Sequence, residues 1–145
     1  MIPDKLTVKS QEALRGAVNE AFDRGHQEVD AEHLLYVLLG DAKGVVPGIV
    51  SKIGADPVRL RTEIDKDLAR RPRVTGGTGQ PYTSGRLNKL LAAADSEARK
   101  LKDDYISVEH LLLAMTDDKA EPLAGVLSAA NITRDNVLKA MREVR

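Results

Sequence analysis

Apolar residues recur at helical spacing along almost the whole chain, and no stretch alternates with period two over a useful length. Across residues 7–24, Leu14, Val18 and Phe22 follow one another at i+4, flanked by Ala13, Ala17 and Ala21. This spacing predicts one helix with that face inward and Thr7 as its N-cap. Asp30 is placed to cap a second helix, whose Leu34–Leu39 stretch is apolar almost all round and belongs in the middle of a bundle. A short third helix is expected from Val45 to Ile53, ended by Gly54. Asp56 and Pro57 then occupy N-cap and N1 of a fourth, with Leu60, Ile64 and Leu68 inward.

The stretch "RPRVTGGTGQPYTS" interrupts this periodicity with three glycines and two prolines, and residues 71–83 are predicted to form a linker. The helical plan then restarts. Ser84 caps a helix carrying Leu87, Leu90, Leu91, Ala94, Ala98 and Leu101, and Ser107 caps "VEHLLLAM". A short helix follows Pro122, and Thr133 caps the last, with Val137, Met141 and Val144 inward. The predicted class is all-α.

The second half repeats the first. Laying residues 6–68 on 83–145 without a gap gives 11 identities, among them Leu14/Leu91, Ala17/Ala94, Ala21/Ala98, the paired Glu-His-Leu-Leu and Gly48/Gly125. The caps also match: Thr7 with Ser84, Asp30 with Ser107, Asp56 with Thr133. One domain, residues 1–145, is therefore expected, made of two four-helix repeats (about 6–70 and 84–145) around a pseudo-twofold axis. The first helices of the two repeats are expected to meet near that axis, placing Leu14, Val18, Leu90 and Leu91 at a seam, where they are candidates to line an apolar binding groove, the alternative being that they are core.

Charge narrows the function. The 22 Lys+Arg balance 22 Asp+Glu, and splitting after Thr75 leaves each half balanced too, which argues against a nucleic-acid partner. The cluster Arg70, Arg71 and Arg73 is expected as a solvated helix end, as are Asp103-Asp104 and Asp117-Asp118. Without cysteine there is no disulfide or thiolate metal site. No apolar run is long enough for a membrane span or placed as a secretory signal, so a cytoplasmic protein is expected.

The duplicated Glu-His pair is the candidate for chemistry. With Asp30 and Ser107 as caps, Glu32 and Glu109 fall at N2, beside the positive end of the helix dipole, and His33 and His110 at N3. A zincin helix needs two histidines four apart, whereas each of these helices has one, and His26 is expected in a loop. No nucleophile–base pair or phosphate-binding loop is evident, "GGTG" lacking both the Walker spacing and a preceding strand. No catalytic residue, metal or cofactor is assigned, and a free-standing enzyme is the least favoured class.

The paired "EHLL", the opening "KLTVKSQEAL", the linker "RPRVTGGTGQPYTSGRLNKLL" and "LKDDYISVEHLLLA" together resemble the N-terminal domain of the Clp ATPases. The similarity runs from about Leu6 to Val144 and is greatest to the ClpB disaggregases. It implies a substrate-recognition module that engages unfolded or aggregated polypeptide, tethered to ATPase rings that hexamerise; the isolated domain is expected to be monomeric. Residues associated with chaperone activity in that family correspond to Thr7, Asp103 and Glu109; His110 stands where some members carry an apolar residue. The alternative is an adaptor- or degron-docking module of a Clp protease unfoldase. In ClpC-like proteins the paired glutamates resemble readers of phosphorylated arginine, which would make Glu32 and Glu109 the candidates.

Overall fold

The computed structural model describes residues 4–74 and 79–145, so residues 75–78 of the predicted linker lie outside the described part. Among the described residues eight helices follow one another: α1 (Val8–Asp23), α2 (Ala31–Leu39), α3 (Val45–Ile53), α4 (Pro57–Arg70), α5 (Gly85–Lys100), α6 (Val108–Met115), α7 (Leu123–Ala129) and α8 (Arg134–Val144). The capping chemistry decides the boundaries. Thr7 Oγ1 accepts from Ser10 N–H, Ser84 Oγ from Leu87 N–H, Asp56 from Val58 N–H and Thr133 from Asn136 N–H. Gly54 ends α3 with φ +104°, a conformation in which a Cβ would be strained.

The inward face of α1 differs from expectation. Ser10, Ala13, Leu14, Ala17 and Ala21 are buried, Val18 is half-buried and Phe22 is 55% exposed. Small residues face inward because α1 lies close against α2: a Cβ on Gly16 would stand 2.9 Å from Val37 Cγ1. At the other repeat's equivalent positions the pair is Ala93 and Ala114, so volume moves from one helix to the other. Leu101 and Val144, expected inward, are partly exposed because each sits at the end of its helix.

The pseudo-twofold arrangement is present, with its axis between different helices from those expected. α1 packs mainly on α2 and α6, and α5 mainly on α6 and α2, so the nearly all-apolar α2 and α6 form the centre instead of α1 and α5. The repeats also exchange partners: α3 packs on α8, and α4 on α7. Two short parallel pairings obey the same symmetry. Leu6 bridges Ile106, and the 77-residue offset maps that bridge onto Val29–Thr83, a register pair of β1 (Glu28–Val29) and β2 (Tyr82–Thr83). Each repeat thus donates the strand before its first helix to the strand before the other's second helix.

Candidate functional site

Both Glu-His pairs sit at a helix start, where each histidine completes a capping box. Asp30 N–H donates to His33 Nδ1 and Ser107 N–H to His110 Nδ1, both at 2.9 Å. That bond leaves the proton of the neutral ring on Nε2. His110 donates it to Asp103 (2.8 Å), whereas His33 points it at His26 Nδ1 (2.8 Å). His26 lies in the loop between α1 and β1, as expected, but is buried there against His33. Burial, the facing His26 and nearby Arg71 hold the His33 pKa down at about 4; burial, Arg71 and Arg24 also lower that of His26. A signal was available in the repeat: seven residues before each Glu-His histidine stands a titratable side chain, His26 or Asp103.

The two glutamates have unequal surroundings. Glu32 is fully buried. Arg86 on α5 reaches both its oxygens at 3.0 and 3.2 Å, and also contacts Asp30 and Asp118. Arg71, at the end of α4, reaches Glu32 at 2.9 Å together with Asp30 and Asp67. Four carboxylates and two guanidiniums thus join the repeats at their junction. Burial works against both guanidinium charges, but Glu32 and its acidic neighbours outweigh it and raise both pKa values. Burial would likewise raise the Asp30 pKa, yet the Ala31 N–H, Arg86, Ser84 and Arg71 hold it below the usual carboxylate range. Arg71 and Asp118 are accordingly network members, not solvated helix ends.

In the second repeat the one ion-pair partner of Glu109 among the described residues is the partly exposed Arg145, at 3.1 Å, which also reaches Asp103 at 2.9 Å. Burial opposes ionisation of Asp103, but Arg145 and His110 lower its pKa. Thr7 joins the same end of the molecule: its N–H donates to Ile106 C=O, which also accepts from Ser10 Oγ. Thr7, Asp103 and Glu109 are therefore gathered around the 102–107 turn.

The seam leucines are not gathered there. Leu14, Leu90 and Leu91 are 8%, 5% and 1% exposed and belong to the core. Val18 is half-buried and packs against the core edge. An open apolar surface lies instead between α1, the end of α2 and the start of α3; a larger concavity, about 680 Å³, sits away from that turn, where Ala55, Leu60, Pro122 and Val126 are interleaved with Asp56, Arg59, Glu63 and Glu121. A groove of about 560 Å³ has Ala13, Val37, Leu38, Val45, Val46 and Val108 on its floor and walls. Lys9, Glu12, Asp41 and Lys43 stand at its edge. It adjoins the polar turn through Val108, the residue before Glu109, and Lys9, two residues after Thr7. Among the described residues, no group of His, Asp and Glu could hold a metal ion, and no helix is long and apolar enough to cross a membrane.

The family model of the Clp repeat (R) N-terminal domain matches residues 5–130. The chaperone protein ClpB of Bacillus anthracis is 39% identical over 145 residues, covering 98% of this chain and 17% of its own length. The chain thus spans about 17% of the length of such curated relatives. The Hsp104 N-terminal domain of Candida albicans superposes with a TM-score of 0.84 at 16% identity, covering 98% of this chain and 92% of its own. A ClpV N-domain solved in complex with a VipB peptide gives a TM-score of 0.77 at 24% identity, covering 94% and 88%. The last two likenesses are of fold.

Proposed function

Because the chain belongs to the Clp repeat N-terminal domain family, we propose that it is the substrate-recognition module of a ClpB-like disaggregase, holding apolar stretches of unfolded or aggregated polypeptide in the groove between α1, α2 and α3. The observation that carries this is the placement of an open, apolar-floored groove beside Thr7 and Glu109. Unfolded chains differ from folded ones in their exposed apolar side chains, so a shape-tolerant apolar floor with a polar rim suits them. That a ClpV N-domain takes a peptide supports the same use of this fold. The chain itself carries no nucleotide motif; ATP hydrolysis and hexamer formation belong to the ATPase rings of its parent.

Binding by one domain is weak. Two or three side chains contribute about 1.5–3 kcal/mol each on burial, less the cost of association. A Kd between micromolar and millimolar follows, roughly 4–8 kcal/mol. Six tethered copies recover affinity by avidity. A degron-docking role through the paired glutamates is less well served, since Arg71 and Arg86 already hold Glu32, and Arg145 holds Glu109.

The test is an NMR titration with reduced, carboxymethylated α-lactalbumin, a permanently unfolded probe. Amides of α1 and α3 are expected to shift, with a Kd in that range that changes little with salt, because the domain has no net charge to screen. Thr7→Ala and Glu109→Ala are expected to stay folded and bind more weakly. No binding, binding abolished by moderate salt, or binding only to a phosphorylated-arginine ligand would overturn the proposal, the last in favour of degron docking.

A further inference from the structure

The pseudo-twofold axis gives the groove a sister. A second concavity, about 360 Å³, is lined by Arg86, Lys89, Leu90, Ala93, Ala114, Asp117, Asp118 and Lys119. Shifting by the 77-residue offset, Lys9 falls on Arg86, Glu12 on Lys89, Ala13 on Leu90, Val37 on Ala114 and Asp41 on Asp118. These are one site written twice, and the two copies have diverged at the positions that decide access.

Two differences narrow the sister. Leu90 puts an isobutyl group where the first groove has the methyl of Ala13, and Leu90 is itself buried, so its side chain fills the floor. Arg86 is held across the edge by Asp118 at 2.8 Å while also anchored to Glu32 and Asp30. At the matching place in the first groove Lys9 has no ion-pair partner among the described residues, and its flexible stem borders the opening without spanning it. Arg86 is needed in the junction network; its counterpart Lys9 is not.

We infer that the domain takes a single uncharged, apolar polypeptide segment, on its α1–α3 side only, and that Ala13 is the residue that keeps this groove open. The inference rests on the function proposed above and adds which copy works and why. Charge complementarity selects the occupant. Lys9 and Lys43 at the edge are matched by Glu12 and Asp41, so the site presents no net charge, over a floor of aliphatic side chains. A basic or acidic segment gains nothing there and loses its hydration. The sister sets three basic edge residues, one of them locked, against Asp117 and Asp118, which leaves an excess positive charge beside a floor narrowed by Leu90.

The same titration, followed residue by residue, tests this. In the wild type the shifts are expected on Lys9, Ala13, Val45 and Val46 amides, and not on Lys89, Ala93 or Lys119. Ala13→Leu copies the residue found at the sister position, and is expected to weaken binding by at least about tenfold. Val45→Gln serves as a second variant at a partly exposed groove wall, outside the core, and is expected to weaken binding about threefold or more. Retained amide dispersion checks that each variant is folded. Wild-type shifts spread equally over both grooves, or folded Ala13→Leu and Val45→Gln domains that bind as well as wild type, would overturn this inference while leaving the proposed function standing. A wild type that binds no unfolded probe at all would overturn both.

Discussion

Glu32 and Glu109 occupy the same position in two copies of one motif, yet they carry different energetic weight. Glu32 has no contact with water, and both its oxygens are bonded to Arg86 with Arg71 beside them. Its removal leaves two half-buried guanidiniums short of a partner. Asp30, Asp67 and Asp118 still neutralise them and both arginines reach solvent, so Glu32→Ala is expected to cost about 2–3 kcal/mol, below the roughly 3–5 kcal/mol for breaking a fully buried pair. Glu109 faces one arginine whose side chain is 40% exposed, and Glu109→Ala is expected to cost about 1 kcal/mol or less. Urea unfolding of the two variants side by side checks the order; equal losses would mean that the junction network adds nothing. The sequence showed both glutamates at N2 of their helices, and that holds. It could not show the arginines: Arg71 and Arg86 lie 39 and 54 residues away along the chain from Glu32, and salt-bridge partners leave no periodic trace.

At the scale of the element, the start of α2 is tied down through two neutral imidazoles. The chain of bonds runs from Asp30 N–H through His33 to His26, which is also bonded to the backbone of Leu68 on α4. Arg24 at the end of α1, Arg71 at the end of α4 and Arg73 beyond it surround the pair, so a proton there meets positive charge on three sides, opposed by Asp30 at His33 and by the Leu68 backbone at His26. The folded His33 pKa lies below its unfolded value, so the unfolded chain takes up the proton first. The stability contribution is therefore intact above pH ~6.5 and is lost progressively as pH falls toward about 4. The loss over that window is about 3 kcal/mol for His33. His33→Gln can still accept from the Asp30 N–H and is expected to flatten the pH dependence of the urea midpoint between pH 7 and 4.5. An unchanged slope would show that His33 ionises freely in the fold. The second repeat has no such tie, because Asp103 replaces His26 opposite His110.

For the whole molecule, the exchange of partners matters most. α3 buries its apolar face on α8 and α4 meets α7, while α2 and α6 share the centre, so neither repeat closes a core by itself. Unfolding is expected to be a single cooperative transition, coincident by circular dichroism and by NMR peak loss. A chain of residues 1–74 alone is expected to lack a cooperative transition, and mixing it with 79–145 to restore one. Independent folding of either half would contradict the shared core.

Helix positions, N-caps and the repeat itself were determined by the sequence alone, because they depend on neighbours within a turn and on a 3.6-residue period that any single chain displays. Thr7, Asp30, Asp56, Ser84 and Thr133 all cap where local chemistry placed them. The family could be recognised for the same reason, its motifs being contiguous strings. Only the tertiary structure decided which apolar residues face a partner. Leu14 and Leu91 carry the same periodic signal whether a helix packs on the core or lines a groove, and here they are core. The groove opens over Ala13 and Val45 because a small side chain beside α2 leaves space that no sequence pattern records. Its sister is narrowed by Leu90 and bordered by the anchored Arg86. An opening is a property of what surrounds it, and those walls come from α1, α2, α3 and the start of α6, which only folding brings together.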